Sequence, residues 1–305
     1  MPIESILDTY NYNFNHPIVR DLAWSIASPP MVNVNNHALI STDWLAQQYT
    51  DYLPRLFALD VEPAPLLNFI RPATRLGLYF EQLWHFFFID NPNFDVLLAN
   101  TQVRDDHFTY GEFDFIVKDN TTNQVTHFEV AVKFYLGYPS TNNEPPLWYG
   151  ANMKDRFDIK FNHMLEHQIK LGQQEAAQGL LREHNINIDN EKIILKGRLY
   201  QAHPALKLTN QLLPNSCNWR WITHHHFNKE CIHHRWYQIM KPNYLATRTK
   251  SELDIYQHQK TGEKKPLQLL RYHNQKEAER LILVPDEWLA KIKLDRSKQE
   301  KVSQV

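Results

Sequence analysis

The spacing of apolar and polar positions changes character twice along the chain. Before residue 75, apolar residues recur at helical intervals between proline-rich joints. Ser41-Thr42-Asp43 offers an N-cap for a helix over 44–57, and Pro63, Pro65 and Pro72 punctuate the stretch up to residue 75. Residues 76–89 are nearly continuous hydrocarbon, predicting a buried helix that stops at Asp90-Asn91-Pro92. Alternating segments then take over. Residues 97–104, 109–118 and 126–136 predict three strands, the third being the most apolar, as a central strand would be. Residues 119–123 are turn-like. A loop over 137–150 leads to Asn152, which can cap a helix running to about Leu171 with Asp155 near its positive end. A further strand is expected over 192–203.

Beyond Pro204 the periodicity weakens. Residues 218–227 and 235–240 predict strands, 275–283 a short helix, and from Lys291 the tail is polar. The order helix, three strands, helix, strand predicts an α/β fold, a mixed central sheet flanked by helices. The expected division is a helical N-terminal extension over 1–74, a core over 75–205 and a C-terminal region, 206–305, packed on that core.

The second and third strands place charge where hydrocarbon is expected. In Thr109-Tyr-Gly-Glu-Phe-Asp-Phe-Ile-Val, strict alternation puts Phe113, Phe115 and Val117 on one face and Glu112, Asp114 and Ile116 on the other. In His127-Phe-Glu-Val-Ala-Val-Lys-Phe, one face is apolar, while His127, Glu129, Ala131 and Lys133 share the opposite one. A hairpin symmetric about Thr121-Thr122 sets Asp114 across from Glu129. Directly opposed Cβ atoms lie about 4.5–5.5 Å apart. Two such carboxylates repel, and a hard divalent cation with oxygen ligands would relieve them. Glu81, one of few polar residues in the apolar helix, extends the set, with His85 one turn on. An alternative is that Glu81 marks the solvent edge of its helix, and that Asp114, Glu129 and Lys133 form a buried ion pair with no turnover.

Composition narrows the field. The 305 residues are 43% hydrophobic, enough for a full core, and include only 8 glycines. Neither a P-loop nor a dinucleotide fingerprint is present. Cys217 and Cys231 are the only cysteines, so no disulfide framework is implied and a reduced, cytoplasmic setting is expected. Residues 1–35 lack the basic start and apolar run of a signal peptide, and 76–89 is too short and too polar to span a bilayer. Net charge is −1 but uneven. Residues 1–140 carry 7 Lys/Arg against 16 Asp/Glu, residues 141–240 carry 12 against 9, and residues 241–305 carry 14 against 9. An acidic half suited to metal and a basic half suited to phosphate fit a nuclease; solvated surface is the plainer account of any one charge.

These motifs resemble a known superfamily. Arg75-Leu-Gly-Leu-Tyr-Phe-Glu81, then Gly111-Glu-Phe-Asp114, then Phe128-Glu-Val-Ala-Val-Lys133 look like the PD-(D/E)XK nucleases in order and element type. With Asp21-Leu-Ala-Trp24 and Ser28-Pro-Pro30, the same segments resemble a bacterial family known as domain of unknown function 1853. The resemblance implies a restriction-endonuclease-like fold. It also implies a Mg²⁺- or Mn²⁺-dependent nuclease acting on DNA or RNA, with Asp114 and Glu129 holding metal, Glu81 assisting and Lys133 facing water and phosphate. The sequence departs from the pattern in one respect. Three residues, not one, separate Glu129 from Lys133, with Ala131 where an acid is usual, so Lys133 lies about 13 Å rather than about 7 Å along the strand. Lys160 on the next helix is a substitute. A second reading is therefore a catalytically inactive relative that serves as a nucleic-acid-binding or protein-interaction module.

Three further features invite chemistry. Lys160, His163, His167 and Gln168 form a stripe that could meet nucleic-acid phosphates, or be wet surface. His224-His225-His226, Cys231 and His233-His234, with His203 and Cys217 upstream, offer zinc-type donors but no C-x-x-C or H-E-x-x-H spacing, and a polar strand end is the alternative. Trp219, Trp221, Trp236 and Tyr237 suit either base stacking or an aromatic core.

Overall fold

A computed structural model of the chain describes residues 14–32, 36–138, 146–153, 155–202, 219–257 and 265–292. The expectations for His203, Cys217 and the tail beyond Ile292 lie outside the described residues. Helices α1 (Pro17–Ala27), α2 (Thr42–Val61), α3 (Ala64–Phe69) and α4 (Leu76–Asp90) come first. Ser41 caps α2 as expected, its Oγ accepting from the Trp44 amide at 3.1 Å. Along α4 the residues Tyr79, Phe80, Leu83, Trp84, Phe86, Phe87 and Phe88 are buried, which leaves Glu81, Gln82 and His85 along its less covered side.

Strands β1 (Phe94–Arg104), β2 (Thr109–Asp119) and β3 (Val125–Tyr138) come next. β4 (Leu147–Gly150) pairs with the far end of β3, so the loop expected over 137–150 contains a strand. The single helix expected over 153–171 is also corrected. Met153 takes φ +60°, and helix begins only at α5 (Phe157–His163), widening into a π turn (Met164–Gln168) and then tightening into a 3₁₀ turn (Leu171–Gln173). Helix α6 (Glu175–Glu183), not foreseen, precedes β5 (Asn190–Ala202). Then come β6 (Trp219–Thr223), α7 (His224–Glu230), β7 (Tyr237–Ile239), β8 (Asp254–Ile255), β9 (Leu267–His273) and β10 (Lys276–Val284).

Two C-terminal expectations fail for identifiable reasons. The strand expected over 218–227 ends at Thr223, whose hydroxyl caps α7 by accepting from the His226 amide. The helix expected over 275–283 is β10. Its run Leu281–Val284 is buried between β6 and β9, and short apolar runs do not reveal their period.

All ten described strands join one mixed sheet, in the order β1-β2-β3-β5-β6-β10-β9-β7-β8 with β4 beside β3. At its centre β3 and β5 run parallel from Thr126↔Asn190 to Leu136↔Tyr200. Helices α1, α2 and α4 cover one face, packing on Phe115, Val117, Phe128, Val130, Val132 and Ile194. The opposite face meets the helical turns after β4: Met164 and Ile169 lie on Ile193 and Leu195, and Leu171 and Leu181 lie on Phe113 and Ile116. No helix among the described residues is long and apolar enough to cross a membrane.

A buried carboxylate ties distant parts together. Asp21 on α1 accepts from the Tyr79 hydroxyl (2.8 Å), the Arg248 guanidinium (2.5 Å) and the Ala246 amide (3.0 Å). The C-terminal segment is thereby fixed to α1 and to α4, two residues from Glu81.

Candidate active site

The site is built on a gap in the sheet. β2 and β3 pair from Lys118↔Val125 to Phe115↔Phe128, the register expected from a hairpin centred on Thr121-Thr122. The ladder stops there, one step short of Asp114 and Glu129. The Asp114 side chain takes over, its Oδ2 accepting from the Val130 amide at 2.8 Å. β3 meets β4 only from Tyr135 onward. Residues 129–134 therefore have β5 along one side and, among the described residues, no strand along the other.

The alternation expected through β2 slips at Asp114. Phe113 packs with Ile116 and stands edge-on to His127 at 4.8 Å, whereas Phe115 and Val117 face the helices on the other side. On β1 the pairs Thr101↔Phe113 and Ala99↔Phe115 bracket Asn100, whose φ of +47° is a left-handed conformation that asparagine tolerates. Phe113 and Phe115 thus fall on opposite faces, and Asp114 sits at the change.

Glu129 is 1% exposed, with both oxygens engaged: Oε1 lies 3.1 Å from His127 Nε2, and Oε2 accepts from Gln168 Nε2 at 2.8 Å. Gln168 Oε1 accepts in turn from Lys160 Nζ. Glu81, half-buried, makes no hydrogen bond or ion pair among the described residues.

None of these bonds joins one acid to another, and it is the acids' charges that couple them. Burial, then the charges of Asp114 and Glu112, push the Glu81 carboxyl up to about 7. Asp114 rises to about 7 through burial and the charge of Glu129, against the pull of the Val130 amide. Glu129 rises to about 8 through burial, with Lys160 pulling down and Glu81 and Glu112 pushing up. Burial lowers His127 to about 4, so its contact with Glu129 joins neutral partners near pH 7 and is no salt bridge there. Burial and the Lys133 charge lower Lys160, while Glu129 and Asp114 raise it. Each acid feels another, as groups gathered at one place must.

Lys133 is turned elsewhere. Its Nζ donates to Asp155 Oδ2 at 2.7 Å, and both side chains are about one-third exposed. The lysine that reaches the acids is Lys160, through Gln168. The stripe divides accordingly. His163 and His167 are exposed, their rings 5.2 Å apart, whereas Lys160 and Gln168 turn inward to the acids, with His163 Nδ1 still 3.4 Å from Gln168 Oε1. The site also draws on His127 and Glu112, to which the sequence reading gave no role in it. The signal for His127 was its place two residues before Glu129 on the same strand face.

A family model described as Domain of unknown function (DUF1853) matches residues 20–296, nearly the whole chain. The chain belongs to the DUF1853 family. No curated protein and no solved structure matches it. Within this DUF1853 chain, among the described residues, no three His, Cys, Asp or Glu side chains are arranged to hold a metal ion unaided. That includes the His-rich segment. His224, His225 and His226 sit on helix α7, not on a strand, and buried Cys231 receives the Arg220 guanidinium at 3.2 Å. Of the aromatic residues, Trp221, Trp236 and Tyr237 are buried in the core. Trp219 is half-buried, with the Arg198 and Arg280 guanidinium groups over its ring.

Proposed function

We propose that this DUF1853 chain is a metal-dependent phosphodiesterase of the PD-(D/E)XK type, with a restriction-endonuclease-like core, acting on DNA or RNA. One observation carries the proposal: carboxyl groups from α4, β2 and β3 act on one another at the open edge of β3, and a lysine reaches them. The donor set suits Mg²⁺ or Mn²⁺ better than zinc. Mg²⁺ characteristically takes one or two carboxylates together with water and substrate phosphate, and does not need a complete protein cage. Asp114 and Glu129 would hold the ion, with Glu81 assisting. Once bound, it supplies an activated water and neutralises charge growing on the phosphate.

The protein's own groups have separable tasks. Asp114 is oriented by the Val130 amide. Gln168 and His127 fix both oxygens of Glu129, and Gln168 couples it to Lys160. Lys160 is the group placed to meet a developing negative charge. With pKa values of about 7 and 8, the acids carry protons near neutrality that a cation would displace.

The decisive experiment is cleavage of labelled single-stranded, duplex and branched DNA and RNA with Mg²⁺ or Mn²⁺, alongside Mn²⁺ titration. Wild type should bind the ion and cut. Asp114→Ala should do neither, and a wild type that binds no divalent ion would overturn the proposal. The pairing of Lys133 with Asp155 favours a second reading, a non-catalytic nucleic-acid-binding or protein-interaction module. Substrate binding without cleavage under every metal condition would select it.

A further inference from the structure

A cavity of about 500 Å³ opens beside the same bare edge of β3 and is unused by the chemistry above. It lies between β3, the β4–α5 turn and the C-terminal strands. Leu76, the first residue of α4, and Lys133, four residues along the strand from Glu129, both line it. Its volume falls within the roughly 300–1,000 Å³ of small-molecule sites. Val132, Phe134, Leu267 and Ile282 supply apolar wall, and Lys133, Lys241 and Lys265 supply positive charge. Asp155 also lines the cavity but is engaged by Lys133. Lys241 and Lys265 are exposed and, among the described residues, make neither hydrogen bond nor ion pair. Among the described residues, the cavity therefore keeps positive charge unmatched by acid.

A second feature points to a ligand. Gln268, 2% exposed, lines the cavity and gives its Nε2 to the Tyr200 hydroxyl, while Oε1 has no partner. A hydroxyl can donate or accept, so turning the amide over would satisfy Tyr200 equally well and leave the NH₂ bare. Either way one buried amide atom lacks a partner, which is costly unless a bound group supplies it.

We propose that this cavity binds one nucleotide of the substrate strand, with its phosphate at Lys241 and Lys265 and its base or sugar against the apolar wall near Gln268. This rests on the phosphodiesterase reading and adds to it the part of the substrate that the C-terminal region holds. Phosphate alone would leave the apolar wall and the Gln268 amide unanswered. A bare apolar ligand would leave the lysines unanswered. A nucleotide meets both. The cavity begins at Val132, about 10 Å along β3 from Glu129, within reach of the next nucleotides of a strand held at the acids.

The test is calorimetric titration with adenosine and cytidine 5′-monophosphates in EDTA, using the full chain. Wild type should bind a nucleotide saturably and the matching nucleoside more weakly. Lys241→Glu/Lys265→Glu should bind about tenfold more weakly or worse. Both lysines are exposed, so that variant should keep the wild-type melting profile, and Gln268→Leu probes the floor separately. Asp114→Asn should still bind. Absence of nucleotide binding, or equal binding by the charge-reversed variant, overturns the cavity proposal, as does preference for an acidic peptide over nucleotide. The two proposals fail separately. Nucleotide binding without cleavage in any metal defeats the phosphodiesterase alone, and cleavage without nucleotide binding defeats the cavity alone.

Discussion

This molecule buries carboxylates in two opposite ways. Asp21 is 1% exposed and is met by a guanidinium, a phenol hydroxyl and a backbone amide. The Glu277–Arg280 pair obeys the same logic, since Arg280 also reaches the carbonyls of Tyr244 and Ala246. At the gap in the sheet, buried Glu129 and half-buried Glu81 and Asp114 instead meet one another's charge, helped by one lysine and a neutral histidine. Complete pairing leaves no charge unanswered once folding is done, so it reads as architecture. Acid facing acid leaves a repulsion that protons or a cation must relieve, so it reads as a site.

The largest expected effect tests that contrast directly. Asp21→Ala should lower unfolding stability by about 3–5 kcal/mol, because Arg248 is left charged and buried without its partner. Asp114→Asn keeps an oxygen for the Val130 amide and removes a repelled charge, so at pH 8 it should be neutral or stabilising. Urea unfolding of both variants decides the matter. Should Asp114→Asn prove as damaging as Asp21→Ala, the gap holds ordinary structural carboxylates.

The second test uses pH. Folded-state values near 7 to 8 exceed the usual unfolded carboxylate values near 4, so the folded chain binds more protons between them. Stability attributable to these groups is therefore undiminished below about pH 4. It falls as pH rises, and levels off above about 8. Glu129 is 1% exposed and dominates, so the total fall should be on the order of 5 kcal/mol, with smaller shares from half-buried Glu81 and Asp114. Glu129→Gln should flatten the curve. Added Mg²⁺ should restore stability at pH 8 more than at pH 5, by mass action on the ionised form. A metal-insensitive, flat profile in wild type breaks the comparison from the other side.

The same physics decides which parts were legible in the sequence. Local pattern carried the helices through α4 and the hairpin register, because burial of Phe115, Val117 and Phe128 leaves β2 and β3 one way to pair. It also marked Glu81, Asp114 and Glu129 as acids standing in apolar surroundings, and the fold brings their charges within reach of one another. It misled where the backbone departs from strict period: at Asp114, where Asn100 and its neighbours shift the faces, and after Gly150, where one expected helix becomes α-, π- and 3₁₀-turns. Beyond Pro204 the strands are completed by partners distant in sequence. β10 sits between β6 and β9, and nothing local distinguishes its Leu281–Val284 run from a helix. Lys133 pointed to the expected face but found Asp155, a partner that only the folded β4–α5 turn brings near.

Gln168 gives a third and smaller test. It is the bridge between Glu129 and Lys160, so Gln168→Leu should remove a bond to each. The expected loss is about 1–2 kcal/mol of stability at pH 7. The Glu129 pKa, tracked by NMR of labelled glutamate, should rise further once its amide donor is gone. An unchanged value would mean that the bridge is incidental.

The smallest stability effect separates the two lysines. Lys133 and Asp155 form a pair that is about one-third exposed on each side, worth about 0–1 kcal/mol, so Lys133→Ala should unfold almost like wild type. Its consequence should appear in catalysis. The Lys133 charge lowers the pKa of Lys160, so its removal lets Lys160 keep its proton to higher pH. If Lys160 acts as the cation at the phosphate, the alkaline limb of the pH–rate profile should move upward in Lys133→Ala, with cleavage retained. Lys160→Ala should instead lower the rate by about 10²–10³, the cost of removing one stabilising group from a transition state. If Lys133→Ala abolishes cleavage while Lys160→Ala leaves it intact, the roles are reversed. The 129–133 spacing would then have to be accommodated by movement of β3 away from Asp155.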